Sequence, residues 1–351
     1  MNLRINKIKD IIKEKNCDSL IVIDNSDIRY LSGLVSSNIV LLITLDKSYV
    51  FSDGRYKFLI ESQKLYEPVC INKPILECVK DKIIELKLSK TLIDPTHINH
   101  KLYAYLSNGI NLKDTENITK PLRIIKDKKE INNIIKAQKI AEKAFKDTLT
   151  YIKEDMTTKE IASYLDYRMN MYGSEEVAFS SIVVNEKESA NCHGVPGNKK
   201  IKKGDLLLFD FGATVNGYRS DMTRTIAIGE ISEEKKKIYN VVYNAHKIAK
   251  DKLKPGVKCC DIDEAAREYI EKNGYGDLFL HSLGHGVGLD IHEYPTLTTK
   301  SDEVLKEGMI VTVEPGIYLK NKFGIRIEDT YIITENGSKS VANIKKNIII
   351  V

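Results

Sequence analysis

The sequence lacks the features of an exported or membrane-spanning chain. Its six cysteines include no C-x-x-C pair, and a disulfide framework is not expected in a chain of this size without an export signal. The first 15 residues, MNLRINKIKDIIKEK, are amphipathic and charged, and they contain no apolar segment of the kind found in signal peptides. No stretch approaches the roughly 18 apolar residues that a membrane-spanning helix requires. We therefore expect a cytoplasmic protein with no membrane partner.

The sequence also contains little arginine and no large excess of positive or negative charge. Nine of the 54 basic residues are arginine, and 49 acidic residues leave a net charge of only +5. The lysines are spread along the chain with acids between them, which is typical of a solvated surface. Hydrophobic residues make up 42% and charged residues 29%, as in ordinary soluble proteins. We expect no nucleic-acid partner.

The order of predicted elements indicates two domains. Short apolar strands and amphipathic helices alternate through about residue 115, which predicts an α/β domain over residues 1–120. After a polar connection, the spacing predicts one long helix from Lys128 to about Ile152 and a second from Thr158. Residues 121–351 continue with glycine-rich hairpins that carry most of the notable polar residues.

Two aspartates lie in a predicted hairpin over residues 202–229. An Asn216-Gly217 pair joins two apolar runs, and Asn-Gly is the strongest short hairpin signal. With these two residues as the loop, Asp210 lies opposite Thr223, and Asp221 lies two residues further along on the same face. Two carboxylates at that diagonal spacing could share a cation, whereas the plain alternative is that both face water. An aspartate inside LLLFDF is costly unless it is paired or binds a metal.

A histidine-rich segment, HSLGHGVGLDIHEYP, covers residues 281–295. His281 and His285 are four residues apart, but the surrounding glycines disfavour a helix and no glutamate follows His281, so a zincin motif is excluded. A dinucleotide-binding loop is disfavoured because no strand–turn–helix unit surrounds it. The segment predicts an extended backbone that displays His285 and His292 for metal or substrate binding.

Two glutamates interrupt the last apolar runs. Glu314 and Glu328 each lie in a strand-like stretch, but Pro315 prevents a simple argument about their register. Arg326 shares the side of the strand on which Glu328 lies, where it could orient a metal-binding carboxylate or receive a substrate charge. Each glutamate alone could be an ordinary edge-strand acid.

Four carboxylates and one imidazole form an oxygen-rich ligand set. Such a set suits Mn²⁺ or a similar divalent ion better than a structural zinc ion. Four negative charges around one ion would repel each other, whereas two divalent ions balance them. Two ions about 3.5–4 Å apart can hold a hydroxide and polarise a carbonyl, which is hydrolytic chemistry.

These motifs together resemble the pita-bread metallopeptidases, which include the Xaa-Pro dipeptidases, aminopeptidases P and methionine aminopeptidases. The resemblance rests on HGVPG (193–197), FDFGA (209–213), SDMTRT (220–225), HSLGHGVGLDIHEYP (281–295), VEPGIY (313–318) and RIED (326–329). DIRYLSGL (27–34) and FSDGRY (51–56) resemble the N-terminal domain of the proline-specific branch. The fold implied is an α/β creatinase-like N-terminal domain followed by an α+β pita-bread catalytic domain.

The resemblance also implies roles for individual residues. The ligands of two divalent ions, expected to be Mn²⁺ with Co²⁺, Fe²⁺ or Zn²⁺ as other candidates, would be Asp210, Asp221, His285, Glu314 and Glu328. A metal-bridging hydroxide would attack the carbonyl before proline, Glu314 would transfer its proton, and His292 would stabilise the oxyanion. His193 would line the catalytic pocket, and the substrate side would be formed by His281, Tyr318 and Arg326. Short proline-containing peptides are the expected substrates, and a homodimer is the expected assembly.

Several alternatives remain open from the sequence. Some prolidases place an arginine for the carboxylate of a dipeptide between the positions of His292 and Glu314, where this chain has only Lys300 and Lys306, so a dipeptidase and an aminopeptidase are both possible. A methionine aminopeptidase would generally lack residues 1–120. A non-catalytic peptide-binding module would typically lose metal ligands, and a creatinase-like hydrolase lacks the metal set.

Overall fold

The computed structural model describes residues 2–351, which form two compact units that divide between Arg123 and Ile124. Among these described residues, no helix combines the length and the apolar character needed to cross a bilayer.

The first unit is built on a six-stranded mixed sheet with the strand order β4-β3-β2-β1-β5-β6. Its strands are β1 Ser19–Val22, β2 Ile39–Thr44, β3 Ser48–Asp53, β4 Glu67–Ile71, β5 Thr91–Ile93 and β6 Leu112–Asp114. Its helices are α1 Asn2–Glu14, α2 Asn25–Ser32, α3 Lys57–Ser62, α4 Ile75–Glu85, α5 His100–Ser107 and α6 Lys120–Arg123. The alternation of strands and helices predicted for this region is confirmed.

The second unit contains two larger sheets and two short ladders. Its helices are α7 Lys128–Tyr151, α8 Thr158–Met171, α9 Glu186–Ser189, α10 Glu233–Asp251 and α11 Cys259–Lys272. Its first strands are β7 Ile182–Asn185, β8 Leu206–Phe211, β9 Thr214–Val215, β10 Tyr218–Arg219, β11 Met222–Ala227 and β12 Gly284–Gly286. The remaining strands are β13 Glu293–Leu297, β14 Ile310–Val313, β15 Gly316–Leu319, β16 Phe323–Arg326, β17 Asp329–Thr334 and β18 Gly337–Ser340.

Each of the two larger sheets is covered by a pair of helices. Apolar residues of α7 and α8 form one core with the sheet β11-β8-β7, and those of α10 and α11 form another with the sheet β13-β12-β14-β17-β18. Both predicted helices of the first pair are confirmed, and α8 begins at a capping box formed by Thr157 and Glu160. Since each sheet has one face covered by helices, polar residues that alternate with the core positions point to the opposite side.

The predicted register of the first acidic hairpin, β8 to β11, is confirmed. Asn216 and Gly217 have positive φ angles of 50° and 75°, as a two-residue type I′ turn requires. Val215 pairs with Tyr218, and Asp210 pairs with Thr223. No bulge changes the parity, although the ladder is interrupted between its inner and outer parts.

A second hairpin, β14 to β17, repeats this construction. Val313 pairs with Asp329 in the outer ladder, and Gly316 pairs with Arg326 in the inner ladder. The two ladders share one register, so Glu314 and Glu328 face each other in the gap between them. The register of Glu314 against Glu328, which Pro315 made unpredictable from the sequence, is therefore that of a continuous hairpin. The hairpin is interrupted at the same level on both strands.

A fully buried arginine joins the two hairpins behind these gaps. Arg224 on β11 donates to the backbone oxygen of Glu328 at 2.6 Å and to Asp329 Oδ1 at 2.7 Å. It also donates to the backbone oxygens of Thr223, Ile344 and Lys345. Because the bonds to Thr223, Glu328, Asp329 and Ile344 are all buried, they fix the distance between the two hairpins.

We expect Arg224→Met to lower the free energy of unfolding by about 3–5 kcal/mol, because it removes the buried guanidinium that pairs with Asp329, which then keeps only Lys346, and it removes the donor to several backbone oxygens. Urea unfolding measures the change. Arg168→Met is the matched control, since Arg168 pairs with Asp147 where both side chains are about 30% exposed, and we expect it to cost at most about 1 kcal/mol. Equal effects of the two substitutions would contradict the role of Arg224.

Candidate metal centre

Asp210 points away from the helical layer because of the strand on which it lies. Its neighbours Phe209 and Phe211 both pack on Phe145 of α7, with ring centroids 5.3 and 5.2 Å apart. Successive side chains of a strand point to opposite faces, so Asp210 points to the uncovered side of β8. There it lines a cavity of about 570 Å³, together with Asp221, which lies in the interruption of the same hairpin.

His285 is displayed by an extended strand, as predicted, and close backbone approach explains its flanking glycines. A Cβ atom on Gly284 would lie 2.1 Å from the backbone oxygen of Thr312, and one on Gly286 would lie 2.3 Å from that of Tyr294. His285 Nδ1 is 3.0 Å from the backbone oxygen of Gly286 and donates to it. This bond leaves Nε2 directed into the cavity, where it could bind a metal ion as a neutral imidazole.

Nε2 of His285 faces carboxylates from both hairpins. It lies 3.6 Å from Asp221 Oδ2 and 3.4 Å from Glu314 Oε1. One ligand atom each from Asp221, His285 and Glu328 lie within 4.8 Å of one another, which is the spacing of a metal site. Asp210 and Glu314 lie beside this group but belong to other contacts, with Arg326 and His285 respectively.

Unpartnered oxygen atoms support a cation at this place. Asp210 Oδ1, Asp221 Oδ1 and Glu328 Oε1 are all buried and have no hydrogen-bond partner. Buried carboxylate oxygens are normally paired, since an unsatisfied one costs about 1–3 kcal/mol or more. Three such atoms in one cavity, next to an imidazole lone pair, fit hard divalent ions.

The pKa values of the four acids also indicate a site for cations. Burial, followed by repulsion from neighbouring carboxylates, raises the pKa values of Asp221 and Glu328 well above their ordinary range. Burial also raises the pKa of Asp210, against the opposing charge of Arg326. For Glu314, burial is outweighed by the hydrogen bond and charge of His285, and its pKa is lowered. Without cations the cluster thus holds the pKa values of three of its four acids above their ordinary range.

Arg326 is a buried hub next to the carboxylates. Its Nη2 donates to Asp210 Oδ2 at 2.5 Å, and its Nε donates to Thr223 Oγ1 at 3.1 Å. Thr223 Oγ1 in turn donates to Glu328 Oε2 at 2.7 Å. Arg326 therefore does orient a carboxylate of the cluster, but that carboxylate is Asp210, and it reaches Glu328 only through Thr223.

Tyr318 links this hub to His281. Arg326 Nη1 donates to the Tyr318 hydroxyl at 2.7 Å, so that hydroxyl directs its own hydrogen to His281 Nε2, 2.9 Å away. His281 Nδ1 then donates to the backbone oxygen of Ser282 at 2.8 Å. Burial lowers the pKa of His281, consistent with a neutral ring. His281 lines the cavity, whereas Tyr318 is only 2% exposed and lies behind it.

His193 and His292 lie at the exposed side of the same cavity. The His292 ring packs edge-on against His285, with centroids 4.4 Å apart. The cavity is completed by residues that were not among the predicted site residues, and these are Phe179, Ile182, Cys192, Ser282, Ile291, Glu293, Tyr294 and Thr296. Several of them lie inside motifs noted above, but strand parity alone did not show which would face the cavity.

A buried ion pair holds the segment next to His292. Lys126 Nζ is 2.9 Å from Glu293 Oε2, and their side chains are 1% and 8% exposed. Glu293 Oε1 also accepts from the backbone nitrogen of Asp290 at 3.2 Å. The carboxylate of Glu293 is thereby neutralised and kept apart from the metal cluster.

Family models match both parts of the chain. Residues 132–335 match the model of metallopeptidase family M24, and residues 4–125 match the creatinase/prolidase N-terminal domain. The chain is 37% identical to the Xaa-Pro dipeptidase of Pyrococcus furiosus, with 99% of this chain and all of the relative aligned.

Solved structures are similar over almost the whole chain. An Xaa-Pro dipeptidase from Bacillus anthracis aligns with a TM-score of 0.96 and 34% identity, covering 99% of both chains. An X-Pro aminopeptidase from Thermotoga maritima aligns with a TM-score of 0.90 and 34% identity, covering 96% of this chain and 98% of the other. The expected fold, a creatinase-like α/β domain followed by a pita-bread catalytic domain, is confirmed. The chain is a member of metallopeptidase family M24.

Proposed function

We propose that this protein is a metallopeptidase that hydrolyses the peptide bond preceding proline. The observation that carries the proposal is the set of three buried, unpartnered carboxylate oxygens beside Nε2 of His285. Similar proteins carry the names Xaa-Pro dipeptidase and X-Pro aminopeptidase. A methionine aminopeptidase is disfavoured because residues 4–125 match the creatinase/prolidase N-terminal domain.

The proposed ligands of two divalent ions are Asp210, Asp221, His285, Glu314 and Glu328. Four carboxylates balance the charge of two such ions, which removes the repulsion described above. When bound, the ions supply an activated water molecule and polarise the scissile carbonyl. Oxygen ligands favour Mn²⁺, although the same set can bind Co²⁺, Fe²⁺ or Zn²⁺.

The roles proposed for the other residues are those that the resemblance implies. Glu314, next to His285, would accept the proton of the attacking water and pass it to the leaving nitrogen. His292 and His193, at the open side of the cavity, would stabilise the oxyanion and contact the substrate. His281 would contact the proline side. Tyr318 and Arg326 would support it from behind, because both are nearly buried and hydrogen-bonded to each other.

The same proposal includes the setting of the enzyme. Residues 1–120 would form the N-terminal domain and residues 121–351 the catalytic domain of a cytoplasmic homodimer. Short proline-containing peptides would be its substrates.

The activity itself is tested with purified protein loaded with Mn²⁺. We expect release of the first residue from Xaa-Pro peptides, loss of turnover on chelation, and recovery when Mn²⁺ is restored, measured by chromatography of the products. The control peptides carry alanine in place of proline. The absence of turnover with every Xaa-Pro peptide would contradict the proposed function.

Glu314→Gln tests the proton-transfer role. We expect the fold to be kept and kcat to fall by about 10²–10⁴-fold, because an amide cannot accept the proton of the attacking water. Metal content, measured by mass spectrometry, separates this effect from loss of an ion. Glu335→Gln, on an exposed turn, is the control and should retain full activity. A kcat for Glu314→Gln near that of the control would refute the role.

Metal binding should depend on pH. The raised pKa values of Asp221 and Glu328 mean that protonation stabilises the metal-free fold below the ordinary carboxyl pKa of about 4. That stabilisation is lost as the pH rises through the raised values. Ions replace these protons, so Mn²⁺ should raise the Tm more at about pH 8 than at about pH 5. Thermal unfolding with and without Mn²⁺ measures this. A Tm shift independent of pH, or one retained by Asp221→Asn, would be inconsistent with the proposed centre.

A further inference from the structure

The length of the substrate determines where its terminal charge lies. In an Xaa-Pro dipeptide, the free carboxylate belongs to the proline itself and lies one residue from the scissile bond. It would therefore enter the cavity that already contains the acidic cluster. In a longer peptide, a neutral amide occupies that position and the carboxylate lies further out. Burying an unpaired carboxylate is costly, so a site for dipeptides needs a cation there.

The one arginine or lysine among the described residues that line the cavity is Arg326. It donates to Asp210, Thr223, Tyr318 and the backbone oxygen of Cys192, and it is 3% exposed. These bonds use four of the five N–H groups of its guanidinium. The charge of Arg326 is therefore paired with Asp210 and does not balance a substrate carboxylate as well.

The nearby lysines do not supply that charge either. The ammonium of Lys126 forms a buried pair with Glu293, which neutralises it. Lys300 and Lys306, the two cations of the sequence between His292 and Glu314, are exposed and do not line the cavity. The cavity histidines can donate hydrogen bonds, but unlike an arginine they carry no permanent positive charge.

A neutral residue, Thr296, lies at the cavity wall, where a cationic side chain could pair with the carboxylate of a dipeptide. Thr296 on β13 pairs with His285 on β12, so the two side chains share one face of the sheet. Thr296 lines the cavity, as does the partly exposed Tyr294 on the same strand. A hydroxyl and a phenol at this wall suit the amide and side chain of a residue that follows proline.

From this distribution of charge we propose that the site prefers peptides of three or more residues that begin Xaa-Pro, and that the enzyme acts as an aminopeptidase. The inference rests on the proposed Xaa-Pro peptidase function and adds the length of the substrate. Specificity here is a difference in free energy between two substrates, and it comes from the unpaired charge of the shorter one.

Three substrates separate the effect of charge from that of length. Ala-Pro, Ala-Pro amide and Ala-Pro-Ala are compared by kcat/KM with the Mn²⁺-loaded full-length protein. We expect the amide and the tripeptide to exceed the dipeptide by at least about tenfold, since the amide differs from the dipeptide in lacking its charge. A dipeptide cleaved as well as the amide and the tripeptide would overturn the inference while leaving the Xaa-Pro activity intact. Failure of all three substrates would overturn the proposed function as well.

Thr296→Arg provides the complementary test. A guanidinium at this wall should raise kcat/KM for Ala-Pro relative to Ala-Pro amide by about tenfold, because it can pair with the free carboxylate. Thr296→Gln, a long but neutral side chain, is the control and should leave the ratio unchanged. An unchanged ratio in Thr296→Arg, with circular dichroism showing an intact fold, would argue against Thr296 as the position that selects length.

Discussion

Repulsion among buried carboxylates is the constraint on which the rest of the catalytic unit depends. Asp221 and Glu328 hold their pKa values well above the ordinary range because they are buried next to each other and to further acids. A fold that brings such groups together must hold them by bonds that do not weaken when the groups ionise. Arg224 and Arg326 provide those bonds, one behind the backbone of Glu328 and one beside Asp210. Stability and metal binding are therefore parts of one electrostatic arrangement.

The two hairpins direct their acids to the centre by the same construction, an interrupted ladder. Each keeps a single register on both sides of a gap, and acids in the gaps, Asp221 in the first and Glu314 and Glu328 in the second, face the centre. In the gaps, backbone groups that would pair within the hairpin bond elsewhere, as Glu328 N does with the backbone oxygen of Thr223 at 3.1 Å. Glu314 N likewise bonds the backbone oxygen of Leu283, two residues before His285, at 2.8 Å. The interruptions thus connect the hairpins to each other and to the histidine strand.

Local signals predicted much of this architecture from the sequence. The Asn216-Gly217 turn determined the register of the first hairpin, because a two-residue loop leaves no freedom in the pairing. The second hairpin was not predictable in this way, since its turn lacks such a pair and Pro315 interrupts the ladder. Helix α2 was also not predicted, although Asp24 caps its start and Gly33, with φ of 75°, ends it. The role of Arg224 depends on partners more than 100 residues away, which no local pattern indicates.

The Lys126–Glu293 pair has a consequence for how the catalytic unit could be isolated. The family M24 match begins at residue 132, whereas Lys126 lies within the compact second unit, which begins at Ile124. A fragment cut at the start of the family match would lose the ammonium that neutralises the buried carboxylate of Glu293, next to His292. Residues 126–131, which precede the family match, thus contribute to the charge balance beside His292, and in electrostatic terms the second unit begins before the match does.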